Sequence, residues 1–314
     1  MEMWVNSIYN LRYPGQNSEL FVRMACFRDK IIFMSIHNDF NKEFTIGEDL
    51  TVNRMGYGAM RITGKGIWGP PARRDEALQV LKKAVELGIN FIDTADSYGP
   101  NISEELIAEA LYPYPSGLVI ATKGGFIRTG PGQWTINSHP DHLKRALEGS
   151  LNRLKVDRID LYQLHRIDPN VPFEKSLAFL QGVQEEGLIK HIGLSEVSVE
   201  DIEKAEEYVE IVSVQNMYSF DNRKWEPVLK YCEQTGKAFI PWYPLNAGKV
   251  ESVQALEKVA SETGHSAHQV ALSWLLYHSP NILLIPGTSS VAHLEENVAA
   301  EGIRLTPAQI ATLG

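Results

Sequence analysis

Asp93 closes the apolar run Ile89-Asn90-Phe91-Ile92, and Tyr98 follows on the loop Thr94-Ala95-Asp96-Ser97-Tyr98-Gly99. Lys123 ends the next apolar run, Val119-Ile120-Ala121-Thr122, and His165 ends Ile159-Asp160-Leu161-Tyr162-Gln163-Leu164. A carboxylate, a phenol, an ammonium and an imidazole at strand ends suit proton delivery to a carbonyl oxygen as negative charge develops there. An unperturbed phenol titrates near pH 10 and is a weak acid at neutral pH. A lysine beside it stabilises the phenolate and lowers that value, while a carboxylate holds the lysine in place. The expected roles are Tyr98 as general acid, Lys123 as its cationic modulator, Asp93 as the lysine's partner and His165 as the group that orients the carbonyl. Taken singly, each has a plain structural reading as packing or as a buried ion pair. Four together at strand ends read as a catalytic group.

Those four residues need a scaffold that brings strand ends together. Short apolar runs are expected as strands near 54–57, 90–93, 118–122, 159–164, 192–194, 212–214, 238–242 and 282–285. Between them lie amphipathic stretches at 74–87, 140–154, 173–186, 199–208, 224–233, 250–262 and 267–278, with a short helix opened by Ser103 and running to Leu111. Thr45-Ile46-Gly47 and Leu50-Thr51-Val52 suit a small hairpin ahead of them. Eight strand-then-helix units with short buried strands argue for an α/β fold, a closed parallel (β/α)₈ TIM barrel rather than an open sheet. In such barrels chemistry sits at the C-terminal ends of the strands, where all four candidates fall.

The chain has 314 residues, 44% hydrophobic and 22% charged, enough for one large barrel domain with an ample core. Its net charge of −9 argues against a nucleic-acid or anionic-membrane partner but leaves room for a local basic pocket for a phosphate. Cys26 and Cys232 make no disulfide framework, so a reducing cytoplasm is expected, and no run of 18 apolar residues offers a spanning helix. Residues 1–33 lack periodicity and read as an extension outside the fold, either an upstream start ahead of Met34 or a disordered stretch. Residues 43–314 read as the barrel domain.

Several partial motifs fail. Gly56-Tyr57-Gly58-Ala59-Met60-Arg61 has Arg61 where a dinucleotide fingerprint needs its third glycine. Gly193-Leu194-Ser195-Glu196-Val197 lacks the last glycine of a nucleophile elbow. His265 and His268 have no carboxylate or thiol at ligand spacing, so no metal site is expected. The loop Gly64-Lys65-Gly66-Ile67-Trp68-Gly69-Pro70-Pro71 reads as a mobile flap over a pocket.

Asp93, Tyr98, Lys123 and His165, in that order, resemble the catalytic tetrad of the aldo-keto reductases, and the resemblance covers residues 43–314. It implies a (β/α)₈ barrel whose N-terminal β-hairpin closes the barrel bottom, and hydride transfer from NADPH to a carbonyl, with NADH also compatible. Position by position, it implies that Ser195, Glu196 and Gln215 hold the nicotinamide carboxamide and that Trp242 stacks on its ring. Glu196 stands where many members have asparagine and can accept from the carboxamide without donating. Pro244, Leu245 and Asn246-Ala247-Gly248 match the pyrophosphate loop. Gly287, Thr288, Ser289 and His293 match the 2′-phosphate site, and Glu296 and Asn297 the adenine contacts. Gly287 and His293 stand where many relatives carry lysine and arginine, so these side chains give no strong preference for NADPH. Within the family the chain resembles the bacterial pyridoxal reductases in 52–60, 66–71, 190–195 and 280–294, which implies reduction of pyridoxal to pyridoxine. The aldehyde pocket is then expected to be lined by Trp68, Trp134, Arg166 and Tyr218. Alternatives are a broad aldehyde or ketone reductase on the same machinery, or a cofactor-sensing subunit resembling the β subunits of potassium channels. A monomer is compatible with the sequence.

Overall fold

The computed structural model of the protein describes residues 40–245 and 253–314. The expected extension at 1–33 lies outside the described residues, as does Asn246-Ala247-Gly248.

Strands β1 (Glu43–Ile46) and β2 (Leu50–Asn53) pair antiparallel, as the hairpin pattern predicts. Alternation along them puts Ile46, Leu50 and Val52 on one face. These side chains cluster with Phe91, Ala121, Leu161, Val212 and Leu283, so the hairpin plugs the interior of the barrel. Asp49 at its turn pairs with Lys190 at 2.7 Å and His191 at 2.8 Å, tying it to the start of a barrel strand.

The barrel strands are β3 (Tyr57–Gly58), β4 (Phe91–Asp93), β5 (Val119–Gly124), β8 (Ile159–Leu164), β9 (Ile189–Ser195), β10 (Ile211–Gln215) and β11 (Ala238–Phe239), parallel and in sequence order. Residues 281–285 close the ring as an eighth strand. On one side Phe239 N donates to Asn281 O at 2.8 Å and Leu283 N to Phe239 O at 2.9 Å. On the other, Leu284 N donates to Arg54 O at 2.8 Å and Gly56 N to Leu284 O at 2.7 Å. The fully buried Arg54 fixes the seam, its guanidinium donating to Ile282 O, Asn41 O, Leu276 O and Ser279 O. Those carbonyls include the C-terminal end of the Ala267–His278 helix, where a cation is favourable.

Helices cover the outside. Pro140–Leu154 and Ala267–His278 have the bounds their periodicity predicts. The Ile102–Leu111 helix differs at its start, because Asn101 in a left-handed conformation precedes it. Ser103 lies within the first turn, where its hydroxyl donates to Ala59 O at 3.0 Å and accepts from Thr94 at 2.8 Å. Ser103 therefore ties a helix to two strand ends instead of capping. A second hairpin, β6 (Phe126–Gly130) and β7 (Gln133–Ile136), follows β5 outside the predicted pattern. No helix among the described residues is long and apolar enough to cross a membrane.

Candidate active site

Asp93 ends β4, and its Oδ2 accepts from Lys123 Nζ at 2.6 Å. The same ammonium donates to Thr94 O at 2.7 Å and to the Tyr98 hydroxyl at 3.5 Å. The other Asp93 oxygen accepts from Gln215 Nε2 at 2.9 Å and Gln163 Nε2 at 3.1 Å. Lys123 is 0% exposed and Asp93 2%, so this pair is dry and nearly all its polar capacity is used. Gln163 was not among the predicted site residues; a glutamine in an otherwise apolar inward strand is the signal that marks it. Its fixed amide orients Asp93 from the side opposite Lys123.

Burial and charge decide the protonation states. Burial pushes the Lys123 ammonium down, but Asp93 and Tyr98 together outweigh it and raise its pKa, keeping the cation. For Tyr98, burial pushes the phenol up, Lys123 pulls it down, and Asp93 pushes it up again. The net direction is upward, so the lowered phenol that the sequence suggests is not found. The reason is burial, the largest influence, which with the push of Asp93 outweighs the pull of Lys123 and Arg166. Tyr98 is thus a protonated donor at neutral pH. Burial, then the cations Lys123 and Arg166, hold His165 well below its usual range, leaving a neutral imidazole. Its Nδ1 is buried with no hydrogen-bond partner among the described residues.

An aromatic wall stands over these groups. The Phe126 ring meets His165 edge-on at 4.6 Å and Trp134 at 5.2 Å, and Trp134 meets Tyr98 at 6.4 Å. Arg128, unmarked in the sequence, lies 3.5 Å over the Trp134 ring while donating to Ser97 O at 2.7 Å and Gly66 O at 3.1 Å. One guanidinium therefore fastens the β6–β7 hairpin to both the Tyr98 loop and the glycine-rich loop. Gly69 N also donates to Gly99 O at 2.6 Å, and Gly132 N to Gly66 O at 2.9 Å. The expected flap is stitched on two sides, because its glycines let backbone meet backbone.

A cavity of about 850 Å³ opens from Tyr98 and His165. Ser195, Gln215, Arg166, Trp134 and Trp242 border it near Tyr98, followed by Pro244 and Leu245. Gly287, Thr288, His293, Glu296 and Asn297 border it farther along. Ser289 lines an adjoining cleft instead. Trp68 does not border the cavity: its ring lies 5.8 Å from the Arg128 guanidinium, and its neighbour Ile67 borders the cavity instead. Tyr218 does not belong to the pocket. It is fully buried, with its ring edge-on to Phe239 and its hydroxyl donating to Glu226, within 3.0 Å of His278 Nε2. A phenol satisfied behind the barrel wall has no reason to turn inward.

Glu196 has partners the sequence does not reveal. One carboxylate oxygen accepts from Trp242 Nε1 at 2.7 Å and from Met217 N at 2.5 Å, so that oxygen holds the indole. Arg166 Nη1 donates to His165 O at 2.6 Å and to Ser195 Oγ at 2.9 Å. Gln215, having given its NH₂ to Asp93, keeps a carbonyl oxygen that can accept from a carboxamide. A cavity of this size, bordered by a flat indole, by amide-binding groups and by the hydroxyl of Thr288, fits a nicotinamide dinucleotide. Among the described residues no cluster of three or more histidine, cysteine or carboxylate side chains is placed to hold a metal.

The chain belongs to the aldo/keto reductase family, whose characteristic pattern matches residues 54–314. That membership makes it an NAD(P)H-dependent oxidoreductase acting on aldehydes or ketones. It is 54% identical over 266 residues to an uncharacterised oxidoreductase of Schizosaccharomyces pombe, covering 84% of this chain and 87% of that one. It is 43% identical over 276 residues to the pyridoxine 4-dehydrogenase of Escherichia coli, covering 86% and 96%. Among solved structures it resembles a glycerol dehydrogenase from Gluconobacter oxydans, with a TM-score of 0.79 at 26% identity over 87% of this chain and 94% of that one. An aldo/keto reductase from Klebsiella pneumoniae in complex with NADP and acetate superposes with a TM-score of 0.74 at 25% identity, over 87% and 94%.

Proposed function

We propose that this protein reduces pyridoxal to pyridoxine with NADPH, Tyr98 donating the proton. The observation that carries the mechanism is the Tyr98 hydroxyl at the cavity wall, 3.5 Å from the buried Lys123 ammonium. The 43% identity to a pyridoxine 4-dehydrogenase supports the substrate.

When bound, the dihydronicotinamide supplies the hydride. Trp242, clamped by Glu196, would bear on the nicotinamide face, and Ser195 and Gln215 would hold its carboxamide. The carbonyl oxygen would lie between the Tyr98 hydroxyl and the neutral His165 imidazole. Lys123 stabilises negative charge on the phenol oxygen as its proton leaves, and Asp93 keeps the ammonium pointed there. Phe126 and Trp134 exclude water and offer flat faces to an aromatic aldehyde. Arg166, which borders the cavity, would meet an anionic or hydroxyl substituent on that ring.

The reading is tested by NADPH oxidation with pyridoxal against a panel of simple aliphatic and aromatic aldehydes. The expected result is a kcat/KM for pyridoxal well above the panel. Comparable or higher values for the simple aldehydes would refute the vitamer and leave a broad reductase. NADPH binding without turnover of any aldehyde would favour a cofactor-sensing subunit.

A further inference from the structure

Relatives of this chain are expected to neutralise the cofactor's 2′-phosphate with cations at positions 287 and 293, and here those positions carry Gly287 and His293. The structure explains why position 287 carries no side chain. A Cβ there would stand 2.7 Å from the Gly58 carbonyl oxygen and 3.4 Å from Arg61 Cγ. The space is thus taken by backbone and by the stem of an arginine from the other side of the barrel seam, just after β3.

Arg61 and Lys65 line a cleft of about 500 Å³ with Thr63, Thr288 and Ser289, and no carboxylate borders it. Both cations are exposed, and among the described residues neither makes an ion pair or a hydrogen bond. On a chain with net charge −9, two free cations beside the Thr288 and Ser289 hydroxyls, with no acid bordering the cleft, suit an anion, while the Thr63 hydroxyl is taken by Met60 O at 2.9 Å. The cleft adjoins the main cavity, because Arg61, Gly287 and Thr288 border both. The loop carrying Thr288 is held in place: Tyr57 donates to Thr288 O at 2.6 Å and Ser290 N to Thr288 Oγ1 at 3.1 Å. The Thr288 hydroxyl hydrogen remains available to an anion.

We propose that Arg61, assisted by Lys65, supplies the cation that binds the 2′-phosphate of the cofactor and so sets the preference for NADPH over NADH. The inference rests on the reading that a nicotinamide dinucleotide occupies the cavity with its nicotinamide at Tyr98. The adenosine then lies toward Thr288, Glu296 and Asn297. The two dinucleotides differ only by a phosphate monoester on that ribose, and a dianion there needs the cations of the adjoining cleft.

The test is direct binding to the full chain by calorimetry, with NADPH, NADH, 2′,5′-ADP and 5′-AMP as probes. Arg61→Gln and Lys65→Gln alter exposed side chains, and Arg61→Lys is the conservative control. Arg61→Gln is expected to weaken NADPH and 2′,5′-ADP by roughly tenfold or more, with NADH and 5′-AMP changed less than about twofold. Arg61→Lys should recover part of the loss, and wild-type NADPH binding should fall more steeply with salt than NADH binding. An equal loss for NADPH and NADH would overturn the inference, placing Arg61 on the shared pyrophosphate; unchanged selectivity in both glutamine variants would overturn it outright. Wild-type protein that binds neither dinucleotide would overturn the functional reading and this inference with it.

Discussion

Asp96, two residues before Tyr98, should make the stability of the protein fall as pH rises, and replacing it should remove that dependence. Its carboxyl is 8% exposed and its Oδ1 has no partner among the described residues. The nearby Glu104 is fully buried and already takes Arg153 at 2.7 Å and Thr122 at 2.5 Å. Burial first and Glu104 second push the Asp96 carboxyl from its ordinary 3.8 up to about 8, against the weaker pull of Arg153 and Ser97. A pKa raised in the folded state means the native protein holds this proton more tightly than the unfolded chain. The contribution is present in full below about pH 4 and is lost as pH climbs through about 8. Between about pH 5 and pH 9 the loss is about three pKa units, or about 4 kcal/mol. Asp96→Asn keeps the shape and cannot ionise. Urea unfolding of both proteins, followed by tryptophan fluorescence across this range, should show the variant gaining about 4 kcal/mol on the wild type. A difference independent of pH, or one shrinking as pH rises, would refute the reasoning, the latter by showing an ionised Asp96 stabilised by Arg153.

Two further outcomes follow from the site. With His165 held neutral and Tyr98 held protonated, kcat/KM for aldehyde reduction should be flat between about pH 6 and pH 9 and fall only as pH approaches the raised phenol pKa. A decline centred near pH 6.5 in the pH–rate profile would instead make an imidazolium the acid. Glu196→Ala should raise the NADPH dissociation constant about three- to tenfold by freeing the Trp242 indole, whereas Glu196→Gln, which keeps an acceptor, should stay within about twofold. Fluorescence titration checks both variants, and equal effects would separate Glu196 from the indole.

The residues legible in the sequence are those whose chemistry coincides with a backbone signal. Asp93, Lys123 and His165 end apolar runs, and a strand end is visible as a change of period, so their convergence follows from the barrel alone. The hairpin β1–β2 and the helices Pro140–Leu154 and Ala267–His278 were legible for the same reason. The β6–β7 hairpin escaped because its turn signal, Pro131-Gly132, lies among residues that read as an ordinary loop. Tyr218 was misplaced because sequence position cannot say which way a side chain turns when a partner such as Glu226 waits behind the wall. Arg128 and Gln163 act through contacts between segments far apart in the chain, and such contacts leave no local periodicity; the placing of Arg61 beside Thr288 is likewise visible only in the fold. Glu196 looked like an altered carboxamide contact because its competing partner, Trp242, is 46 residues away.

The measurement that bears most directly on the account is the rate of pyridoxal reduction by Tyr98→Phe, taken with its affinity for NADPH. Loss of a positioned acid predicts kcat lower by roughly 10²–10⁴ with NADPH binding unchanged, since the substitution keeps the ring and removes only the hydroxyl beside Lys123. A variant that reduces pyridoxal within about threefold of the wild type would contradict Tyr98 as the proton donor.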